Sequence, residues 1–129
     1  MKIAHIAIWT DQLEQMKEFY VNYFHASAGS KYINTATQFE SYFLSFSGET
    51  RIELMYRPGI TETIRLKDKQ MTGYAHLSFA CGSEKKVDLL TKRLISDGYR
   101  VVDGPRRTGD GYYESVVLDS DGNRVEITI

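Results

Sequence analysis

Hydrophobic and polar positions alternate along four short segments of the chain, at about residues 2–9, 51–57, 73–80 and 124–129. A period of two is typical of strands with one buried face, so the pattern predicts four such strands. In each strand one face is wholly apolar, whereas the other is mixed and has one ionisable residue near its middle. These four residues are His5, Glu53, His76 and Glu126. If the pairing register of a strand shifted by one residue, its ionisable side chain would be buried beneath a helix. The pattern therefore specifies which face of each strand is buried.

Two further segments have the three- and four-residue spacing of amphipathic helices. Their apolar stripes are Leu13, Met16, Tyr20 and Phe24 in the first, and Val87, Leu90 and Leu94 in the second. Asp11 with Glu14 predicts a capping box at the start of the first helix. Ser83 is the predicted N-cap of the second helix, and Gly98 is predicted to end it.

The two halves of the chain resemble each other. FESYFL at 39–44 matches YESVVL at 113–118, and each is followed by a glycine turn and an Arg-aliphatic-Glu-aliphatic segment, with one extra residue near Thr50. A duplicated βαβββ unit is therefore predicted, an α+β fold with helices on the outer face of a curved mixed sheet around a metal cleft. We expect a single domain over 1–129, with modules at about 1–57 and 73–129 and a linker at 58–72.

Composition limits the classes of function. The chain has 129 residues, a net charge of −1 and a pI near 6.3, so no basic field favours nucleic acid. Its single cysteine, Cys81, cannot pair within the chain, and no apolar stretch approaches the length of a membrane span. We expect a cytoplasmic protein that acts on a small molecule, without a nucleic-acid or membrane partner.

Two imidazoles and two carboxylates at matched positions of a duplicated unit predict a metal site. Nitrogen and oxygen donors of this kind suit zinc, nickel, cobalt, manganese or ferrous iron. The alternative is that His5, Glu53, His76 and Glu126 only make ordinary ion pairs.

Three segments resemble the vicinal oxygen chelate superfamily, which includes glyoxalase I, extradiol dioxygenases and the bleomycin-resistance proteins. They are HIAIWTDQLEQMKEFYVNYF, GYAHLSF and LDSDGNRVEI. The order His, Glu, His, Glu is similar to short bacterial glyoxalase I, the lactoylglutathione lyase. The resemblance implies that His5, Glu53, His76 and Glu126 hold one divalent ion. Nickel, cobalt, zinc or manganese is expected before iron.

The resemblance also implies a reaction, a lyase or isomerase step on a small oxygenated or thiol-adduct substrate through a metal-bound enediolate. Glu126 or Glu53 would then carry a proton between adjacent carbons, and the protein would be a homodimer. Trp9 stands where the family has an arginine that holds the glutathione carboxylate, and Arg57 where it has an asparagine. Arg107 matches a family lysine. Trp9, Arg57 and Arg107 are predicted to contact the substrate, and the departures at Trp9 and Arg57 leave open whether the thiol is glutathione or another one.

Two other functions fit the same resemblance. An extradiol-type dioxygenase would hold ferrous iron with His5, His76 and Glu126, but Glu53 would then occupy a position that dioxygen and a catechol need open. A non-catalytic, drug-binding resistance protein would not require the four ligands at all.

Overall fold

A computed structural model describes residues 1–61 and 72–129, and its chain divides into two units, Met1–Ile64 and Arg65–Ile129. In the described residues each unit has one helix and one mixed sheet. This confirms the predicted α+β fold. Most of the predicted linker at 58–72 lies outside the described residues. In the described ranges no helix combines the length and the apolar character that a membrane crossing requires.

The first unit has one strand more than its predicted βαβββ order. Its elements are β1 (His5–Trp9), α1 (Leu13–Phe24), β2 (Ser27–Ala28), β3 (Tyr32–Asn34), β4 (Phe39–Ser45) and β5 (Arg51–Tyr56). The strand order is β1-β5-β4-β2, and β3 also pairs with β4. Only β1 and β5 are parallel. The first and last strands of the unit therefore lie side by side.

The second unit has the predicted order. Its elements are β6 (Leu77–Ala80), α2 (Glu84–Ser96), β7 (Val101–Arg107), β8 (Tyr113–Leu118) and β9 (Arg124–Thr128). The strand order is β6-β9-β8-β7, and β6 is parallel to β9. As in the first unit, the opening strand lies beside the closing one. Residues that share a cross-strand position in the two units can therefore be compared directly.

Each helix packs against one face of its own sheet. The buried side chains are Leu13, Met16, Phe19, Tyr20, Leu44, Ile52 and Leu54 in the first unit, and Val87, Leu94, Val117, Val125 and Ile127 in the second. Complete burial of one such aliphatic side chain contributes about 1.5–3 kcal/mol. Because side chains alternate along a strand, the intervening residues face away from the helix.

The ends of the helices agree only in part with the prediction. Ser83 is the N-cap of α2, and its hydroxyl accepts a hydrogen bond from the Lys86 N–H. The chain turns at Gly98 with a φ of +89°. The capping box predicted at α1 does not form among the described residues, because the Glu14 carboxylate binds Lys17 instead. At that helix start Thr10 Oγ1 accepts a hydrogen bond from the Gln12 N–H at 2.9 Å.

The register of the two hairpins corrects the sequence match between the halves. Phe43 lies opposite Glu53, and Val116 lies opposite Glu126, ten positions apart along the chain in both cases. The hairpins therefore superpose without the extra residue near Thr50. The match of FES with YES pairs Glu40 with Glu114, but the register of the hairpins makes Ser41 the structural equivalent of Glu114. Glu40 therefore lies on the helix side of its sheet, and Glu114 lies on the side turned away from the helix.

Candidate functional site

His5 and Glu53 form a pair on the face of the first sheet that is turned away from α1. In the parallel β1–β5 ladder Ala7 lies opposite Glu53, and His5 is two residues before Ala7. His5 Nε2 lies 3.6 Å from Glu53 Oε2. The imidazole also packs edge-to-face on Phe43, with ring centroids 5.5 Å apart. The imidazole is therefore supported by an aromatic neighbour on the same sheet.

His76 and Glu126 form the equivalent pair in the second unit. Ser78 lies opposite Glu126, and His76 is two residues before Ser78. His76 Nε2 lies 3.4 Å from Glu126 Oε2. The strand predicted at 73–80 begins only at Leu77, so His76 immediately precedes it. Both pairs thus have the same positions in their units and nearly the same spacing.

The spacing within each pair fits two ligands of one ion. It exceeds the usual length of an N–H···O hydrogen bond. Two donors that each lie about 2.1 Å from a tetrahedral ion are about 3.4 Å apart. The carboxylates are 15–16% exposed and the imidazoles 40–41%, so the oxygens lie deeper than the nitrogens. Within either unit, the described residues form no group of three or more His, Cys, Asp or Glu that could hold a metal. Each unit therefore brings together one nitrogen donor and one oxygen donor.

The two pairs differ in one hydrogen bond. Ser78 Oγ donates to Glu126 Oε1 at 2.6 Å, whereas the residue opposite Glu53 is Ala7. No described side chain donates a hydrogen bond to Glu53. A hydroxyl that binds a carboxylate restricts its rotamers, so Glu126 is held more firmly than Glu53.

A cleft of about 480 Å³ lies beside Glu126. Its lining residues are Ser78, Thr108, Asp110, Tyr112, Glu114, Glu126 and Thr128. Burial, and then the negative charge of Glu126, raise the pKa of Glu114. The positive charge of Arg106 opposes this shift, but its guanidinium approaches Glu114 only to 3.9 Å. The lining therefore combines carboxylates with hydroxyl groups.

Glu114 was not among the residues predicted for the site. The alignment of the FES and YES segments equates it with Glu40, which binds Lys31 on the helix side of the first sheet. The alternation of side chains along β8 would have identified Glu114 from the sequence. Counting back through the hairpin from Glu126 places Glu114 on the same face.

Trp9 and Arg57, both predicted to contact substrate, lie together in the first unit. Trp9 is on the same face of β1 as His5, and its side chain is 45% exposed. The Arg57 guanidinium carbon lies 5.1 Å from the centre of the Trp9 ring system, a cation–π contact. Phe39 also contacts Trp9 edge-to-face, with ring centroids 6.1 Å apart. Arg57 makes no ion pair with a residue in 1–61 or 72–129.

Arg107, the third predicted substrate contact, lies on the other face of its sheet. It pairs with Tyr113, and its guanidinium binds Glu84 of α2 and the Gly111 carbonyl. Arg106 lies opposite Glu114 and therefore on the face that has Glu126. The Arg106 guanidinium is bound to Asp103, with the shortest N···O distance 2.6 Å.

The duplicated fold and the paired His and Glu side chains agree with one known family. The sequence profile of the Glyoxalase/Bleomycin resistance protein/Dioxygenase superfamily matches residues 2–127. The chain belongs to this superfamily. No curated protein sequence is similar enough to the chain to count as a match.

Solved structures of the superfamily share the fold at low sequence identity. The trypanothione-dependent glyoxalase I of Leishmania major is 20% identical with a TM-score of 0.77, covering 98% of this chain and 85% of its own. Maize glyoxalase I is 22% identical with a TM-score of 0.78. That match covers 98% of this chain, which spans 44% of the maize chain. A glyoxalase family protein of Enterococcus faecalis is 19% identical with a TM-score of 0.77, covering 99% and 97%. At these identities the likeness shows the fold alone.

Proposed function

We propose that the protein is a metal-dependent lyase or isomerase of the glyoxalase I kind, with one divalent ion held by His5, Glu53, His76 and Glu126. The observation that supports this is the repeated pair: an imidazole and a carboxylate at matched positions of both units, 3.6 and 3.4 Å apart. Two nitrogen and two oxygen donors suit nickel, cobalt, zinc or manganese. An extradiol dioxygenase would leave Glu53 without a role.

The proposed reaction moves one proton between adjacent carbons of the substrate. A divalent ion bound there supplies a Lewis acid that polarises a substrate oxygen and makes the neighbouring C–H bond more acidic. One of the two carboxylates accepts the proton from the first carbon and returns it to the second. The electron pair of the broken C–H bond moves towards the carbonyl oxygen and returns to the second carbon as the new C–H bond forms. The hydroxyl proton of the first carbon passes to the oxygen of the second, so the rearrangement is redox-neutral and needs no oxidant.

Trp9 and Arg57 are the proposed substrate contacts in the first unit. The guanidinium is stacked on the indole and has no acidic partner among the described residues, so its N–H edge is open to a substrate carboxylate. The exposed indole gives an apolar surface beside it. Arg107 does not enter this proposal, because it is bound to Glu84 on the helix face. A homodimer stays a prediction from the resemblance.

Metal analysis tests the proposal directly. The protein is purified without a metal-chelating tag, and bound metals are measured by elemental analysis in wild type, His5→Ala and His76→Ala. We expect one ion per chain in wild type and its loss in both variants, one from each unit. His25→Asn is the matched control. His25 is the remaining histidine of the sequence and lies at the left-handed C-cap of α1, a conformation that asparagine tolerates.

An activity assay follows, with hemithioacetals of glutathione and of other thiols. Glu53→Gln and Glu126→Gln together should abolish isomerisation, and removal of a proton-carrying group alone costs about 10²- to 10⁴-fold. Bound iron with oxygen consumption on catechols would favour the dioxygenase instead. Absence of metal, with a melting temperature that rises on addition of an aromatic drug, would favour the binding protein.

A further inference from the structure

The second residue after each histidine lies opposite the glutamate of its pair, and it differs between the units. It is Ala7 in the first and Ser78 in the second. Both strand pairs are parallel and have the same register. A hydroxyl at either position would thus meet the same side of the glutamate, but only the second unit has one.

The hydroxyl of Ser78 makes a short bond. Its Oγ lies 2.6 Å from Glu126 Oε1, while the other oxygen, Oε2, is the one that lies nearest to His76. Glu126 thus has one oxygen held by the protein and the other directed towards the proposed ion. Hydrogen bonds of this kind orient metal-ligating carboxylates. Among residues 1–61 and 72–129 no side chain donates an equivalent hydrogen bond to Glu53.

We propose that Ser78 is a positioning residue that keeps Glu126 stationary, and that Glu53 is the carboxylate that moves to carry the proton. This inference rests on the proposed function. The four proposed ligands by themselves do not distinguish Glu53 from Glu126, whereas the inference gives the two carboxylates different roles. Glu53 accepts the proton from the first carbon and delivers it to the second. Glu126 remains in place throughout.

Three variants test the assignment. Ser78→Ala removes the hydroxyl, Ser78→Thr keeps it, and Ala7→Ser introduces one opposite Glu53 in the same register. Ala7 is exposed, so the added oxygen has space. Each variant is examined for its affinity for Ni²⁺ by competition with a chromophoric chelator, and for kcat and KM in the isomerase assay. Crystal structures of the metal-free proteins give the conformers of both glutamates.

The expected results separate the two carboxylates. Ser78→Ala should weaken Ni²⁺ binding about 10- to 100-fold, the usual effect of losing an outer-shell partner, and Ser78→Thr should restore it. Ala7→Ser should lower kcat about tenfold with KM unchanged, because Glu53 is then held too. Wild-type Ni²⁺ affinity in Ser78→Ala, or wild-type kcat in Ala7→Ser, would overturn the assignment.

Failure of the proposed function would look different. If wild type binds no Ni²⁺, the metal centre itself is refuted, and the metal-free crystal structures still decide the role of Ser78. Glu126 in a single conformer on Ser78, and in several conformers in Ser78→Ala, would support the positioning role. A wild-type Glu126 turned away from Ser78 would contradict it.

Discussion

Glu114 lies diagonally across the β8–β9 hairpin from Glu126, with both side chains on the face of the sheet turned away from α2. The Glu114 side chain is only 15% exposed. Burial and the charge of Glu126 both raise the pKa of Glu114 above its ordinary 4.5. The folded protein therefore binds a proton at Glu114 more readily than the unfolded chain does.

Replacement of Glu114 by glutamine should stabilise the metal-free protein at pH 7. Because the pKa of Glu114 is raised in the folded state, its ionised carboxylate opposes folding fully above that folded-state pKa. The opposition is lost as the pH falls from the folded-state pKa to the unfolded pKa of about 4.5. Thermal unfolding in the presence of a chelator checks this. The gain in Tm of Glu114→Gln should be largest at pH 7 and should be lost by about pH 4.5. Glu18→Gln, an exposed position with the same change of charge, should show no such gain.

Glu14 should behave in the opposite way. Hydrogen bonds from Lys17, and also from Lys31 and Tyr42, lower the pKa of Glu14 to about 2. The contribution of the ionised group is present above the unfolded pKa of about 4.5 and is lost as the pH falls towards 2. Glu14→Gln should lower the stability at neutral pH by about 1 kcal/mol or less, because the side chain is half exposed. Equal destabilisation at pH 7 and pH 2.5 in urea titrations would contradict this.

The buried hydroxyl pair between α2 and β8 should be strongly coupled. Thr91 Oγ1 and Ser115 Oγ are 2.6 Å apart and almost inaccessible to water. Thr91→Val keeps the shape but leaves the Ser115 hydroxyl without this partner, which should cost about 1–3 kcal/mol. The double variant with Ser115→Ala should recover part of the loss. Strictly additive free energies of unfolding would show that the two hydroxyls do not interact.

Gly104 should not tolerate a side chain. Its φ is +75°, and an added Cβ would lie 2.9 Å from the Ser115 Cα and closer still to the Glu114 carbonyl oxygen. Strain in this backbone region costs about 1–3 kcal/mol before any steric clash is added. Gly104→Ala should therefore lower the Tm by several degrees. Gly109→Ala, at a glycine with open space around it, should lower it far less.

Strand parity correctly predicted which ionisable residues share a face of each sheet, because a period of two is a local property. His5 and Glu53 share a face as expected, as do His76 and Glu126. Local helix chemistry was less decisive. Ser83 caps α2 as predicted, but Glu14 was assigned to a capping box, while Lys31 and Tyr42 bind its carboxylate from distant positions in the chain.

The faces of Arg106 and Arg107 could not be predicted from the sequence. The β7–β8 ladder has register shifts between Val101 and Asp103 and again between Asp103 and Arg106. A bulge changes which residues face each side of a sheet, and parity read from the sequence does not show where it occurs. The prediction chose Arg107 because it matches a family lysine. In the structure it is Arg106 that lies opposite Glu114, on the face of the sheet that has Glu126.

The common register of the two hairpins determines where natural insertions and deletions can accumulate. The turns at 46–50 and 119–123 are equally long, and a residue gained in either can bulge into solvent without altering the ladder beside it. A residue gained within the strands, between Arg51 and Glu53 or between Arg124 and Glu126, would turn the glutamate onto the helix side. Length variants among descendants of this chain should therefore concentrate in the turns.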